Sequence, residues 1–164
     1  MFLLGAMRAV RPAAPGKATP LPTETMDADR DARPRADHQP PDPGPGRSYV
    51  PLCGAHELEP GRGRRFEVGE RCVALFNAEG TFFATEDLCP HSGGPLSEGT
   101  LDGRRVICSW HYATFDLESG ASLDSISRYD IDTFPVRVHG GRVWIEVDAS
   151  AAPSGAAARD DSQE

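Results

Sequence analysis

No run in this chain approaches the eighteen or so consecutive apolar residues that a membrane-spanning helix needs. The apolar start, Met1-Phe2-Leu3-Leu4-Gly5-Ala6-Met7, is short and carries its arginines after it, the reverse of a secretory signal. A cytoplasmic protein is expected, with Met1, Met7 and Met26 as alternative starting residues. Basic charge is also scarce: the 164 residues hold 17 Lys and Arg against 25 Asp and Glu, a net charge of −8. Nucleic-acid binding needs a basic footprint, so that class is excluded. No window longer than a turn or two repeats its apolar residues at helical spacing, which excludes a helical bundle.

Residues 8–47 lack aromatic side chains and hold nine prolines. Such a segment buries too little surface to offset its ordering entropy, so residues 1–47 are expected to be a disordered, Pro-rich tail. Charge divides along the chain: +1 over residues 1–47, −7 over 48–148 and −2 over 149–164. The acidic middle is expected to form one domain, and its charge permits salt-sensitive steering toward a basic patch on a partner. The Ala-, Ser- and Asp-rich run from Ala149 to Glu164 reads as a second mobile tail.

What the middle does contain is short β-like runs between turns. Tyr49-Val50-Pro51-Leu52 suits a sheet edge, where proline is tolerated. Arg64–Val68, Arg71–Phe76 and Thr81–Thr85 follow, with Asn77-Ala78-Glu79-Gly80 as a hairpin connection. Arg104–Ile107, Thr114–Leu117, Phe134–Val138 and Arg142–Val147 continue the pattern. Val143, Ile145 and Val147 share one face by period two. The fold class is therefore all-β.

Among these runs lie two loops that each pair a cysteine with a histidine: Cys89-Pro90-His91-Ser92-Gly93-Gly94-Pro95 and Cys108-Ser109-Trp110-His111. Each is short enough to aim two ligands at one point. Two thiolates and two imidazoles suit either one Zn²⁺ in a tetrahedron or two irons bridged by sulfide. Zinc fingers, however, usually pair Cys with Cys and His with His within a loop. The remaining Cys53 and Cys72 are open to a disulfide, which a short secreted chain would favour, or to burial as small hydrophobes. Cys53 and His56, three apart, form a weaker second metal candidate.

The pattern C-x-H followed by C-x-x-H resembles the Rieske [2Fe–2S] motif, and the likeness continues through Gly93-Gly94-Pro95-Leu96 and Phe115-Asp116-Leu117. The resemblance implies a base β-sandwich from residues 48–87 and 121–148, with a cluster-binding subdomain inserted at 88–120. It implies Cys89 and Cys108 on one iron and His91 and His111 on the other, with imidazole edges at the solvent-facing tip. Two ferric ions, two sulfides and two thiolates then sum to zero charge, so an added electron meets less repulsion than on an all-cysteine cluster. Gly93 and Gly94 allow backbone N–H groups to approach the sulfurs, though tight-turn chemistry explains them equally.

Departures from the respiratory members of that family are informative. Gly94 and Trp110 stand where those proteins place a disulfide, and Ala113 and Phe115 where they place Ser and Tyr hydroxyls. Losing donors to a sulfur destabilises the more negative reduced state, since hydrogen bonds to charged groups contribute about 1.5–3 kcal/mol each. A potential on the order of −150 mV, the low end of the Rieske range, is expected. Tyr112 stands where the family often has Gly, and Ser125–Asp130 lacks the prolines common in the loop that covers the cluster.

In type the chain resembles ferredoxins that feed oxygenases. That implies a monomeric electron carrier between an NAD(P)H-dependent flavin reductase and a terminal oxygenase, not an enzyme alone. Two alternatives stay open: the small subunit of an assimilatory nitrite reductase, bound to its large subunit, and a structural zinc-binding interaction module. An oxygenase in its own right is excluded by size. Its mononuclear iron would need a 2-His-1-carboxylate triad in another domain, and outside the motif only His38, His56 and His139 remain.

Overall fold

The computed structural model describes Pro40, residues 42–152 and residues 159–160. The expected tail up to residue 47 therefore lies almost entirely outside the described residues. Eleven antiparallel strands make up this part: β1 (Arg47–Gly54), β2 (Arg62–Val68), β3 (Arg71–Ala78), β4 (Thr81–Glu86), β5 (Thr100–Asp102), β6 (Arg105–Ile107), β7 (Thr114–Asp116), β8 (Thr133–Phe134), β9 (Val136–His139), β10 (Arg142–Asp148) and β11 (Arg159–Asp160). They form three sheets, ordered β1-β10-β9, β11-β2-β3-β4-β8 and β5-β6-β7. The first two are built from the segments on either side of the cluster loops, and the third lies within residues 88–120. This is the all-β arrangement that the resemblance implies.

Strand β3 sits at the centre of the five-stranded sheet, and its sequence explains why. From Val73 to Ala78 every residue is buried. A half-buried strand would alternate apolar with polar residues, whereas a strand covered on both faces reads as a continuous apolar run. Val73 and Leu75 point into a core shared with Val50, Phe66, Val143 and Ile145, which joins the two base sheets. Ala74, Phe76 and Ala78 point the other way, into a second core with Leu96, Val106, Phe115 and Leu117, and with Cys89 and Cys108. One strand thus carries the sandwich on one face and the metal-loop subdomain on the other.

The turns follow from local chemistry. β3 and β4 are joined by Glu79-Gly80 alone, a tighter connection than the four residues expected. Both adopt positive φ, +53° and +92°, as the two-residue turns that match strand twist require. The Asn77 carboxamide oxygen accepts the Gly80 N–H at 2.8 Å. Gly140-Gly141 does the same between β9 and β10, with φ of +57° and +72°. Strand β1 lies at a sheet edge, as its proline demands, and its register slips between Pro51 and Cys53. Val143, Ile145 and Val147 are buried together as expected.

Two findings go beyond the sequence expectations. A 3₁₀ turn at Leu96–Glu98 and strand β5 were not anticipated. The run expected to be a mobile tail from Ala149 has definite backbone contacts in its described part: the Ala149 N–H donates to the Gly46 carbonyl at 2.9 Å, and Arg159–Asp160 pairs with Glu67 and Phe66 of β2.

Because Leu75 is fully buried at the centre of the central strand, Leu75→Ala is expected to cost about 2–5 kcal/mol. Equilibrium denaturation followed by circular dichroism measures it.

Candidate metal centre

The first Cys/His loop leaves β4 through Asp87 and returns to it. The Asp87 N–H donates to the Cys72 carbonyl on β3 at 2.8 Å, and the Asp87 carbonyl accepts the Leu96 N–H at 2.6 Å. Its fully buried carboxylate accepts the Ser97 N–H at 2.8 Å and lies 3.7 Å from the Arg65 guanidinium. A buried carboxylate needs such partners, and here they fasten both ends of the loop to the central sheet. Sequence reasoning passed over Asp87. The readable signal was a charged residue placed between an apolar strand and a ligand-bearing loop.

Within the loop the Cys89 N–H donates to the Gly94 carbonyl at 2.9 Å, and the Gly93 N–H donates back to the Cys89 carbonyl at 2.7 Å. Gly93 takes φ +77°, which its missing Cβ permits. The second loop repeats the plan between β6 and β7. The Cys108 N–H donates to the Ala113 carbonyl at 2.9 Å, and the Tyr112 N–H donates to the Cys108 carbonyl at 3.0 Å. Here the positive φ, +66°, falls on Tyr112.

Segment 122–130 packs beside the second loop and is held by carboxylates. Asp124 accepts the N–H groups of Thr114 and Ile126 at 2.7 and 2.8 Å, and Asp130 accepts the Ser122 N–H at 2.8 Å. Burial pushes the Asp124 carboxyl up, but the N–H groups of Ile126 and Thr114 outweigh it and leave the group below its usual 3.8. The Ser119 N–H and hydroxyl likewise hold Asp116 below 3.8.

These loops bring the four sequence-predicted residues together in two pairs. Cys89 and Cys108 are each only 1% exposed, within the second core. They are close enough for the two side chains to share a hydrogen bond. Burial pushes the Cys89 thiol up and the neighbouring Cys108 adds to that, against the N–H groups of His91 and Ser92 aimed at its sulfur. His91 and His111 are both exposed, with ring centroids 4.9 Å apart and nearly perpendicular planes. The Ser92 hydroxyl lies 2.9 Å from His111 Nδ1, a link between the loops that the sequence did not suggest.

Gly94 and Trp110 complete the site. A Cβ on Gly94 would lie 2.9 Å from the Trp110 ring and 3.2 Å from the Cys108 sulfur. The two positions that a disulfide joins in the respiratory relatives are thus joined here by an indole lying on a glycine. Ala113 and Phe115, the positions without hydroxyls, are fully buried in the same core as the thiols.

The other cysteines and histidines stand apart. No disulfide joins any of the four cysteines. Cys53 is buried in the sandwich core while His56 is exposed. Cys72 is half-buried and its sulfur accepts a hydrogen bond from Arg65 at 2.9 Å. His139 is exposed at the end of β9, and His38 lies outside the described residues. Among the described residues no three His, Cys, Asp or Glu side chains surround one point as a single ion requires.

Buried thiols paired on the inside and imidazoles paired on the outside gather two sulfur and two nitrogen donors on neighbouring loops of an all-β frame. The Rieske [2Fe–2S] domain family matches residues 48–135. The chain belongs to that family, and its cofactor is a [2Fe–2S] cluster. It is 35% identical over 102 residues to the ferredoxin component of the p-cumate 2,3-dioxygenase system of Pseudomonas putida, covering 61% of this chain and 86% of that one. A solved complex of reduced oxygenase and oxidised ferredoxin from carbazole 1,9a-dioxygenase contains a chain 35% identical to it, with TM-score 0.56 over 58% of this chain and 99% of that one. A structure described as an NADH-dependent nitrite reductase small subunit from Mycobacterium tuberculosis is 28% identical, with TM-score 0.57 over 63% of this chain and 97% of that one.

The residues fit such a cluster. Two adjacent buried sulfurs are costly to ionise alone and would be stabilised as thiolates by a bound metal, and N–H donors are already directed at one of them. A metal bound through His111 Nδ1 would replace the Ser92 hydrogen bond, whereas one bound through Nε2 would keep it.

Two outcomes are expected. Gly94→Ala should force the indole or the loop to move, and absorbance of the holoprotein should show faster cluster loss with a red-shifted tryptophan emission. The stabilisation from Asp116 and Asp124, whose folded values are depressed, is present above pH 3.8 and lost as the pH falls through those lower values. Asp124→Asn should therefore flatten the acid limb of the stability profile measured by chemical denaturation.

Proposed function

We infer that Cys89 and Cys108 hold one iron and His91 and His111 the other, and that the chain passes single electrons from an NAD(P)H-dependent flavin reductase to a terminal oxygenase. The observation that carries this reading is the sorting of the four side chains, sulfurs inside and imidazoles at the surface 4.9 Å apart. When bound, the cluster supplies a reversible one-electron couple. The buried cysteines keep water from the sulfurs, and the N–H groups of His91 and Ser92 stabilise charge at Cys89. The exposed histidine edges give a partner a short path to the metals. No substrate pocket is required of a carrier.

The proposed domain assignment is residues 48–148 as the Rieske domain, with 88–120 as its cluster subdomain. The cytoplasm is the proposed location. Among the described residues no helix is long and apolar enough to cross a membrane. The ferredoxin component and the carbazole dioxygenase complex support the oxygenase partner.

The nitrite reductase reading retains a footing in the Mycobacterium tuberculosis likeness. Gel filtration separates the two: a free small protein favours the shuttle, and a stable assembly with a large subunit favours the reductase. A zinc module would give one colourless ion per chain.

Metal analysis of the purified protein should find two irons and two labile sulfides with a reddish colour, and Cys89→Ser or His111→Ala should abolish the native spectrum. A redox titration should place the midpoint below zero, on the order of −150 mV, because Ala113 and Phe115 offer the sulfurs no hydroxyl. A value above zero rejects that assignment.

A further inference from the structure

We propose that Trp110 and Tyr112 form an uncharged aromatic platform that docks on an apolar, near-neutral hollow of the terminal oxygenase, so that aromatic burial and not charge sets the affinity. The proposal rests on the carrier reading above and specifies the surface by which the partner is recognised.

Charge gives the first argument. Residues 48–148 carry a net −7, yet neither residues 88–97 nor residues 106–115 contain a single Asp, Glu, Lys or Arg. Both cluster loops are thus themselves uncharged on an acidic protein, and the Asp124 carboxylate beside the second loop is engaged by the N–H groups of Thr114 and Ile126. A complementary partner face lacks excess charge at the contact, since a patch of either sign there would be desolvated without a counter-ion.

Exposure gives the second. Trp110 is 54% and Tyr112 71% exposed, on either side of the exposed His111. Large exposed aromatics beside a functional group mark interaction sites, and Trp and Tyr supply an outsized share of interface energy.

Rigidity and strain give the third. Trp110 rests against Gly94 and stands edge-on to His111, with centroids 6.5 Å apart, so little side-chain freedom remains to be lost on docking. Tyr112 holds φ +66°, a conformation that glycine adopts without strain and tyrosine does not. A strained backbone that presents a solvated ring is retained for what the ring contacts.

The test uses the reduced holoprotein and, as probe, the oxidised terminal oxygenase of the carbazole 1,9a-dioxygenase system, with electron transfer followed by stopped flow. Tyr112→Gly should lower the second-order rate constant about tenfold or more. Its midpoint potential, its reoxidation by ferricyanide (too small to need docking) and its melting temperature should not fall. Trp110→Ala should lower the rate similarly per mole of cluster retained. Raising NaCl from about 50 to about 500 mM should change the wild-type rate less than about threefold.

Variants that match wild type, together with a wild-type rate that collapses in salt, would overturn the proposal in favour of charged docking elsewhere. A wild type that reduces ferricyanide but not this oxygenase would also overturn it. Absence of iron and labile sulfide would instead remove the carrier reading, an outcome distinct from either.

Discussion

Two thiols that must be kept from water and two imidazoles that must reach it hang from the same pair of loops, and the architecture follows from that opposition. Cys89 and Cys108 lie in the hydrophobic core that also holds Phe76, Leu96, Val106 and Phe115. Each loop then needs only two or three residues to carry its histidine to the surface. The burial that raises the Cys89 thiol in the absence of a metal becomes favourable once the sulfur is bound to a cation. On the proposed ligation, metal binding and packing of the second core would be coupled.

That coupling reaches the rest of the fold through β3. Its even-numbered residues from Ala74 to Ala78 form the floor under the cysteines, while Val73 and Leu75 hold the two base sheets together. Asp87 adds a polar tie, joining the β3 backbone to both ends of the first loop through three hydrogen bonds. In the second loop, Asp124 fixes the strand that follows, so each loop is closed by its own backbone bond and braced by a carboxylate outside it.

Much of this could be read in advance because the signals were local and chemical. Two Cys-His loops narrowed the metal chemistry to zinc or bridged irons, their resemblance to the Rieske motif pointed to the cluster, and the apolar run of β3 and the period-two face of β10 marked the frame. What escaped were features that exist only by contact. Thr100-Leu101-Asp102 has one apolar residue and becomes a strand only by pairing with β6, although Gly103 at the turn, φ +59°, was a visible hint. Ser92 and Asp87 gain their roles from partners 19 and 10 positions away. The indole on Gly94 was legible as two unusual positions but not as one contact.

The pairing of the first long strand with the last has a further meaning. Arg47 sits opposite Asp148 in the β1–β10 ladder and binds Glu146 and Asp148 at 2.8 and 2.9 Å. The entry and exit of the domain are therefore neighbours, clasped by one guanidinium. A module with adjoining ends can be spliced into a longer polypeptide, or can bear extensions at both termini, without any of its strands having to part.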